Sequence, residues 1–134
     1  MNLKDLSIET KSVSVPFAAL PGFNVTIGYM SKPVTRRLAK EATESKMDGG
    51  GNIISDFNNE TFMEAFCKES VKGWEGLTYA MAAQLLLLDE DKIDDLNKEV
   101  VFSHDNALHL LKESTIFDNW INERVNDLST FRGK

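Results

Sequence analysis

Apolar and polar positions alternate strictly over two short stretches near the start of the chain. Val13, Val15 and Phe17 are interleaved with Ser12, Ser14 and Pro16; Phe23, Val25, Ile27 and Tyr29 are interleaved with Asn24, Thr26 and Gly28. The connecting AALPG carries the turn pair Pro21-Gly22. Period two with a central turn predicts a β-hairpin with one buried face. A lone hairpin is marginal in water, so that face must pack on helices or pair with a further strand.

After Tyr29 the spacing becomes helical. Ser31 reads as an N-cap with Pro33 in the first turn, and a helix is expected over residues 32–46 with a thin stripe of Val34, Leu38 and Ala42. Residues 48–52, with three glycines in a row, predict a flexible loop. Over 59–72, Phe62 and Phe66 together with Met63, Cys67 and Val71 form a broad stripe. Gly73 is expected to close that helix in a left-handed conformation, Trp74 to fold back over its last turn, and Gly76 to let the chain leave without a Cβ clash. Gly73, Trp74 and Gly76 thus read as a structural anchor.

Thr78 is placed to cap a helix over 79–88 that ends in Leu85, Leu86, Leu87 and Leu88. Four successive leucines point around most of a helix, so one core face cannot bury them all. They are the candidate partner-binding residues. The acidic stretch 89–99 reads as a loop with a short helical turn, Ser103 as the cap of the next helix, and Ser114-Thr115 as a break. A last helix carries Phe117, Trp120, Ile121, Val125 and Leu128 on one stripe. Residues 1–11 are expected to be loose and 130–134 frayed. The pattern describes one α+β domain over 1–134, mainly helical with an N-terminal β-hairpin.

Composition narrows the functional classes. A chain of 134 residues buries about two-thirds of its unfolded surface without a disulfide or metal staple. Cys67 is the only cysteine, so no intrachain disulfide forms. No apolar run spans a bilayer and MNLKDLSIETK lacks the core of a secretory signal, so no membrane partner is expected and the cytosol is. A net charge of −6 argues against nucleic acid as partner. The charge is also uneven. Residues 32–46 carry three surplus positive charges and residues 89–99 four surplus negative ones, which permits head-to-tail contact in a homo-oligomer.

Chemistry-bearing patterns fail one by one. His104 and His109 are five apart, about 140° around a helix, and cannot share a metal on one face. Asp89, Asp91 and Asp95 suggest a calcium loop, but Ile93, Asp94 and Val100 stand where it needs a ligand, a glycine and a glutamate. The glycines at 49–51 lack the Lys-Ser/Thr of a phosphate loop. Cys67 lies between Met63 and Val71 on an apolar face and reads as an inert core thiol. No cofactor is implied, and an enzyme is the weaker class.

VKGWEGL (71–77), a variable loop, VFSHDNALHLL (101–111) and an apolar terminal helix resemble the tail assembly chaperones of long-tailed double-stranded DNA bacteriophages. The family's Trp-x-Gly-aliphatic element falls on Trp74, Gly76 and Leu77. Its Phe-Ser-x-x-Asn-Ala-x-x-Leu-Leu helix start falls on Phe102, Ser103, Asn106, Ala107, Leu110 and Leu111. The short hairpin and the YMS step (29–31) into a basic helix are similar too, whereas the acidic connection between Leu88 and Val100 is longer than in many relatives. The resemblance implies a non-enzymatic protein that coats the tape measure protein in the host cytoplasm until tube subunits polymerise, and that is absent from the mature virion. It also implies that a longer frameshift product recruits the tail tube protein. The alternative reading is a structural tail or other morphogenesis protein retained in the particle; a host-directed regulator or enzyme is the remote third.

Overall fold

The computed structural model describes residues 2–132. In chain order the first elements are α1 (Leu3–Leu6), β1 (Ser12–Pro16), β2 (Asn24–Gly28), α2 (Lys32–Glu41), β3 (Thr43–Met47) and β4 (Ile53–Phe57). They are followed by α3 (Asn59–Ser70), β5 (Val71–Glu75), α4 (Tyr79–Leu85), a 3-10 turn (Glu90–Lys92), α5 (His104–Glu113), α6 (Thr115–Val125) and α7 (Leu128–Phe131). This is an α+β fold with a β-hairpin near the N-terminus.

Strands β1 and β2 pair antiparallel from Ser12 opposite Gly28 to Pro16 opposite Asn24. The hairpin is completed by β5, which pairs antiparallel with β2 and makes it the central strand of three. Its inward residues Val25 and Ile27, and Phe23 just before it, have no exposed surface. Helices α3 and α6 pack against β2. Phe17, Phe23 and Phe117 meet with ring centroids 5.5 to 6.5 Å apart. Burying each such ring contributes about 2–3 kcal/mol, so this aromatic cluster is a principal reason for the sheet to settle on α6. The Met30 amide donates to the Val125 carbonyl at 3.0 Å, tying the end of β2 to the end of α6.

The five helices α2 to α6 begin on side-chain caps, as does α7 on Asp127. Ser31, Asn58, Thr78, Ser103 and Ser114 accept from the amides of Val34, Thr61, Met81, Asn106 and Phe117. Each cap satisfies a backbone donor that the helix leaves without a partner.

Several expected boundaries move. The helix expected over 32–46 stops at Glu41, and residues 43–47 form β3. Beyond Ala42 the stripe runs out: Thr43, Glu44, Ser45 and Lys46 offer nothing to bury, while Thr43 Oγ1 donates to the Ala39 carbonyl at 2.7 Å and closes the last turn. The glycine-rich loop 48–52 is the turn of a second hairpin, β3–β4. Asp48 Oδ1 organises it by accepting from the Gly50 and Asn52 amides, each at 2.9 Å. Residues 3–6 form α1, with every side chain exposed. The end of the chain carries α7, whose Phe131 is buried with its ring 5.3 Å from Tyr29; Gly133 and Lys134 lie outside the described residues.

Candidate functional site

The VKGWEGL segment is a strand and a turn, which corrects the role expected of Gly73. Helix α3 ends at Ser70, and Val71 already has the extended backbone of β5, with φ −113° and ψ 102°. Its β-branched side chain is fully buried in the sheet. Gly73 pairs with Thr26 in the β2–β5 ladder and is not among the glycines with positive φ. The left-handed position is three residues later: Gly76 has φ +78°, and a Cβ there would run into the Gly22 carbonyl oxygen.

Trp74 therefore covers the sheet and its neighbours, not the last turn of α3. It faces Val25 across the ladder. Its half-buried ring meets Phe23 edge-on at 6.1 Å and Phe102 edge-on at 5.0 Å. The indole Nε1–H donates to the Val100 carbonyl at 2.9 Å. Asn106 Nδ2 donates to the Val101 carbonyl at 3.0 Å, and Ser103 caps α5 between them. The segments 71–77 and 101–111 thus form one contiguous unit. Phe102 is the residue that joins them, and only the order of the two motifs in the sequence pointed to it.

Beside this unit lies a small cleft of about 140 Å³ whose lining includes Trp74, Leu77, Tyr79, Leu86, Leu88 and Leu110. It explains the four leucines. Helix α4 stops at Leu85, and Leu86 leaves it with φ −134° and ψ 152°. The extended backbone lets Leu86 and Leu88 point the same way, into the protein. Leu85, Leu86 and Leu88 are half-buried against the core. Leu87 points outward and is fully exposed, at 103%. Leu96 and Val101 are exposed as well. The Leu96 carbonyl accepts from Ala80 at the start of α4, so exposed leucines flank both ends of that helix.

Two other surfaces were not legible as units in the sequence. The β3–β4 hairpin exposes Met47, Ile53, Ile54 and Phe57. A basic cleft gathers Lys4, Lys11, Lys32 and Arg132, residues separated by as much as the whole chain. Within the expected basic run 32–46, Arg37 is held by Glu69 at 2.8 Å and Lys46 by Asp56 at 3.2 Å, so part of its charge is spent inside the molecule.

Cys67 is buried beneath α5, its Sγ 3.9 Å from the His104 carbonyl. Burial pushes its thiol up to about 11, leaving it protonated and unreactive near neutral pH. Among the described residues no three His, Cys, Asp or Glu side chains are grouped so that they could hold a metal ion. No described helix is long and apolar enough to cross a membrane. Compared with known proteins, the chain matches no family model, no curated protein and no solved structure.

Proposed function

We propose that this chain is a non-enzymatic tail assembly chaperone of a long-tailed bacteriophage, which binds the tape measure protein and keeps it soluble until the tail tube polymerises. The observation that carries the reading is the packing of the two resembling motifs into one unit, Trp74 on Phe102 and Val100, next to a leucine segment with an outward-facing member. A client with long amphipathic helices offers apolar stripes of varied sequence. A binder for it needs exposed aliphatic side chains on a stable support. Leu87, Leu96 and Val101 supply such side chains around α4 and the start of α5. On this reading the tail tube protein is recruited by a longer frameshift product, and the chaperone acts in the host cytoplasm and leaves before the virion is complete.

Co-expression tests it. The tape measure protein alone is expected to be insoluble, and to become soluble and co-purify when this chain is supplied. Equal insolubility with and without the chain, the longer product also being present, would abandon the proposal. The structural-tail alternative is separated by mass spectrometry of purified virions, where the chaperone reading requires the chain to be missing.

A further inference from the structure

Helix α2 carries complementary features at its two ends. Just past its C-terminal end the β3–β4 hairpin stands clear of the body, with every strand residue exposed. The register puts Met47 opposite Ile53 and Thr43 opposite Phe57, so Met47, Ile53 and Phe57 share one face. Met47 and Ile53 are 71% and 74% exposed. Glu44, Lys46 and Asp56 occupy the opposite face with Ile54, the three charges linked by ion pairs of 3.9 and 3.2 Å. A two-stranded hairpin uncovered on both faces is marginal in water, and one with an apolar row gains stability when that row is covered. The arm is nonetheless firmly rooted. The Phe57 ring lies 5.5 Å from Phe62 of α3, and the Asn58 amide donates to the Ala42 carbonyl at 2.8 Å. Over residues 43–57 the carboxylates Glu44, Asp48 and Asp56 outnumber Lys46 by two. Asp48 stays charged, because the Asn52 and Gly50 amides hold its carboxyl below the usual range.

At the N-terminal end of α2 an open cleft of about 850 Å³ runs between α1, the end of β2 and α7. Its floor is apolar: Tyr29, Pro33 and Phe131, flanked by the exposed Ile8 and Leu128. Lys4, Lys11, Lys32 and Arg132 line it against the single carboxylate Glu9, a surplus of three positive charges. None of the four cations takes part in an ion pair among the described residues. No arm residue lines the cleft of its own molecule, since α2 holds the two about 15 Å apart.

We propose that the β3–β4 arm of one copy docks, apolar face down, into the basic cleft of a second copy. The net charges of arm and cleft are opposite, with Asp48 at the turn the arm carboxylate not paired with Lys46; the apolar row meets an aromatic floor, and an arm about 17 Å long can reach across a neighbour's surface. Donor and acceptor are different patches, so a one-way contact is heterologous and builds rings or open chains, whereas reciprocal exchange of two arms closes a dimer. The acidic segment 89–99 is the rival occupant of the cleft. It is the weaker one because its charges outweigh its exposed apolar surface: Leu96 is 39% exposed and Ile93 is half-buried. The contact does not depend on the identity of any client.

Sedimentation velocity on the full chain, with circular dichroism to verify folding, tests the contact. The arm variant Met47→Lys/Ile53→Lys and the cleft variant Lys11→Glu/Lys32→Glu change exposed side chains only. The wild type is expected to form concentration-dependent oligomers and each variant alone to stay monomeric. The decisive arm mixes the two variants one to one. One retains a working cleft and the other a working arm, so a dimer and nothing larger should appear. A monomeric wild type at every concentration, undiminished association in either variant, or a mixture that stays monomeric would overturn the proposal. Loss of association in Asp94→Lys/Asp95→Lys with the arm variant unaffected would assign the cleft to the acidic segment instead.

Discussion

Trp74 donates its indole N–H to the carbonyl of Val100, 26 residues further along the chain, across a separation of 2.9 Å. That bond closes the excursion formed by α4 and the acidic loop, and it holds Phe102 against the same ring. Trp74→Ala removes both contacts and is expected to cost about 3 kcal/mol, the low end for a truncated aromatic because the ring is only half-buried. Trp74→Phe keeps most of the packing and loses the donor, so it should cost about 1 kcal/mol. Urea denaturation measures both. Equal costs would mean that the hydrogen bond, and not the ring contact with Phe102, dominates.

The two glycines on either side of Trp74 should respond unequally. Gly76→Ala forces a Cβ onto the Gly22 carbonyl and a side chain into φ +78°, and is expected to destabilise by more than about 2 kcal/mol. Gly73→Ala meets nothing within 4 Å and sits in a strand, where the added side chain restricts the unfolded chain. A change within about 0.5 kcal/mol is expected. A large loss at Gly73 with tolerance at Gly76 would contradict the assignment of residues 71–75 to β5.

Local patterns of one period were readable along the chain, and switches of period were not. Val13 to Tyr29 announced the hairpin, and Ser31, Thr78 and Ser103 announced helix starts, because a cap is chemistry within four residues. Residues 71–75 hid a strand, because Val71 also continues the helical stripe of Phe66 and Cys67 and only the pairing with β2 decides its conformation. Thr43–Met47 hid another, because its apolar partner strand lies beyond the glycines. The basic cleft was beyond reach, since Lys4 and Arg132 meet only through the docking of α7 on the sheet. Leu87 was identified within its run, yet which of the four leucines faces out depended on where α4 ends.

Cys67 makes a pH-dependent prediction. Burial raises its thiol from 9.0 to about 11, so between these values the folded state holds a proton that the unfolded state has released. The stabilisation is full below about pH 9 and is lost as pH rises through about 11. The wild type should therefore lose more stability over that window than Cys67→Ala does. Thiol-reactive dye should label the native protein slowly at pH 8 and rapidly once it is unfolded. Fast native labelling would place the thiol outside the core.

Leu87 offers a separation of folding from client binding, if the proposed function holds. Its side chain touches nothing that holds the domain together, being 103% exposed, whereas Leu86 and Leu88 on either side pack against the core. Leu87→Asp is expected to leave stability within about 0.5 kcal/mol of wild type, as for other surface positions. Leu86→Asp and Leu88→Asp place an unpaired charge against apolar neighbours and should each cost several times that amount. In co-expression, Leu87→Asp should yield a folded chaperone that recovers several-fold less soluble tape measure protein. The same substitution at Leu96, at the other end of α4, should weaken recovery further if one client stripe spans both ends. Undiminished recovery by a folded Leu87→Asp/Leu96→Asp double variant would move the client surface away from α4. The exposed β3–β4 arm would be the next surface to test.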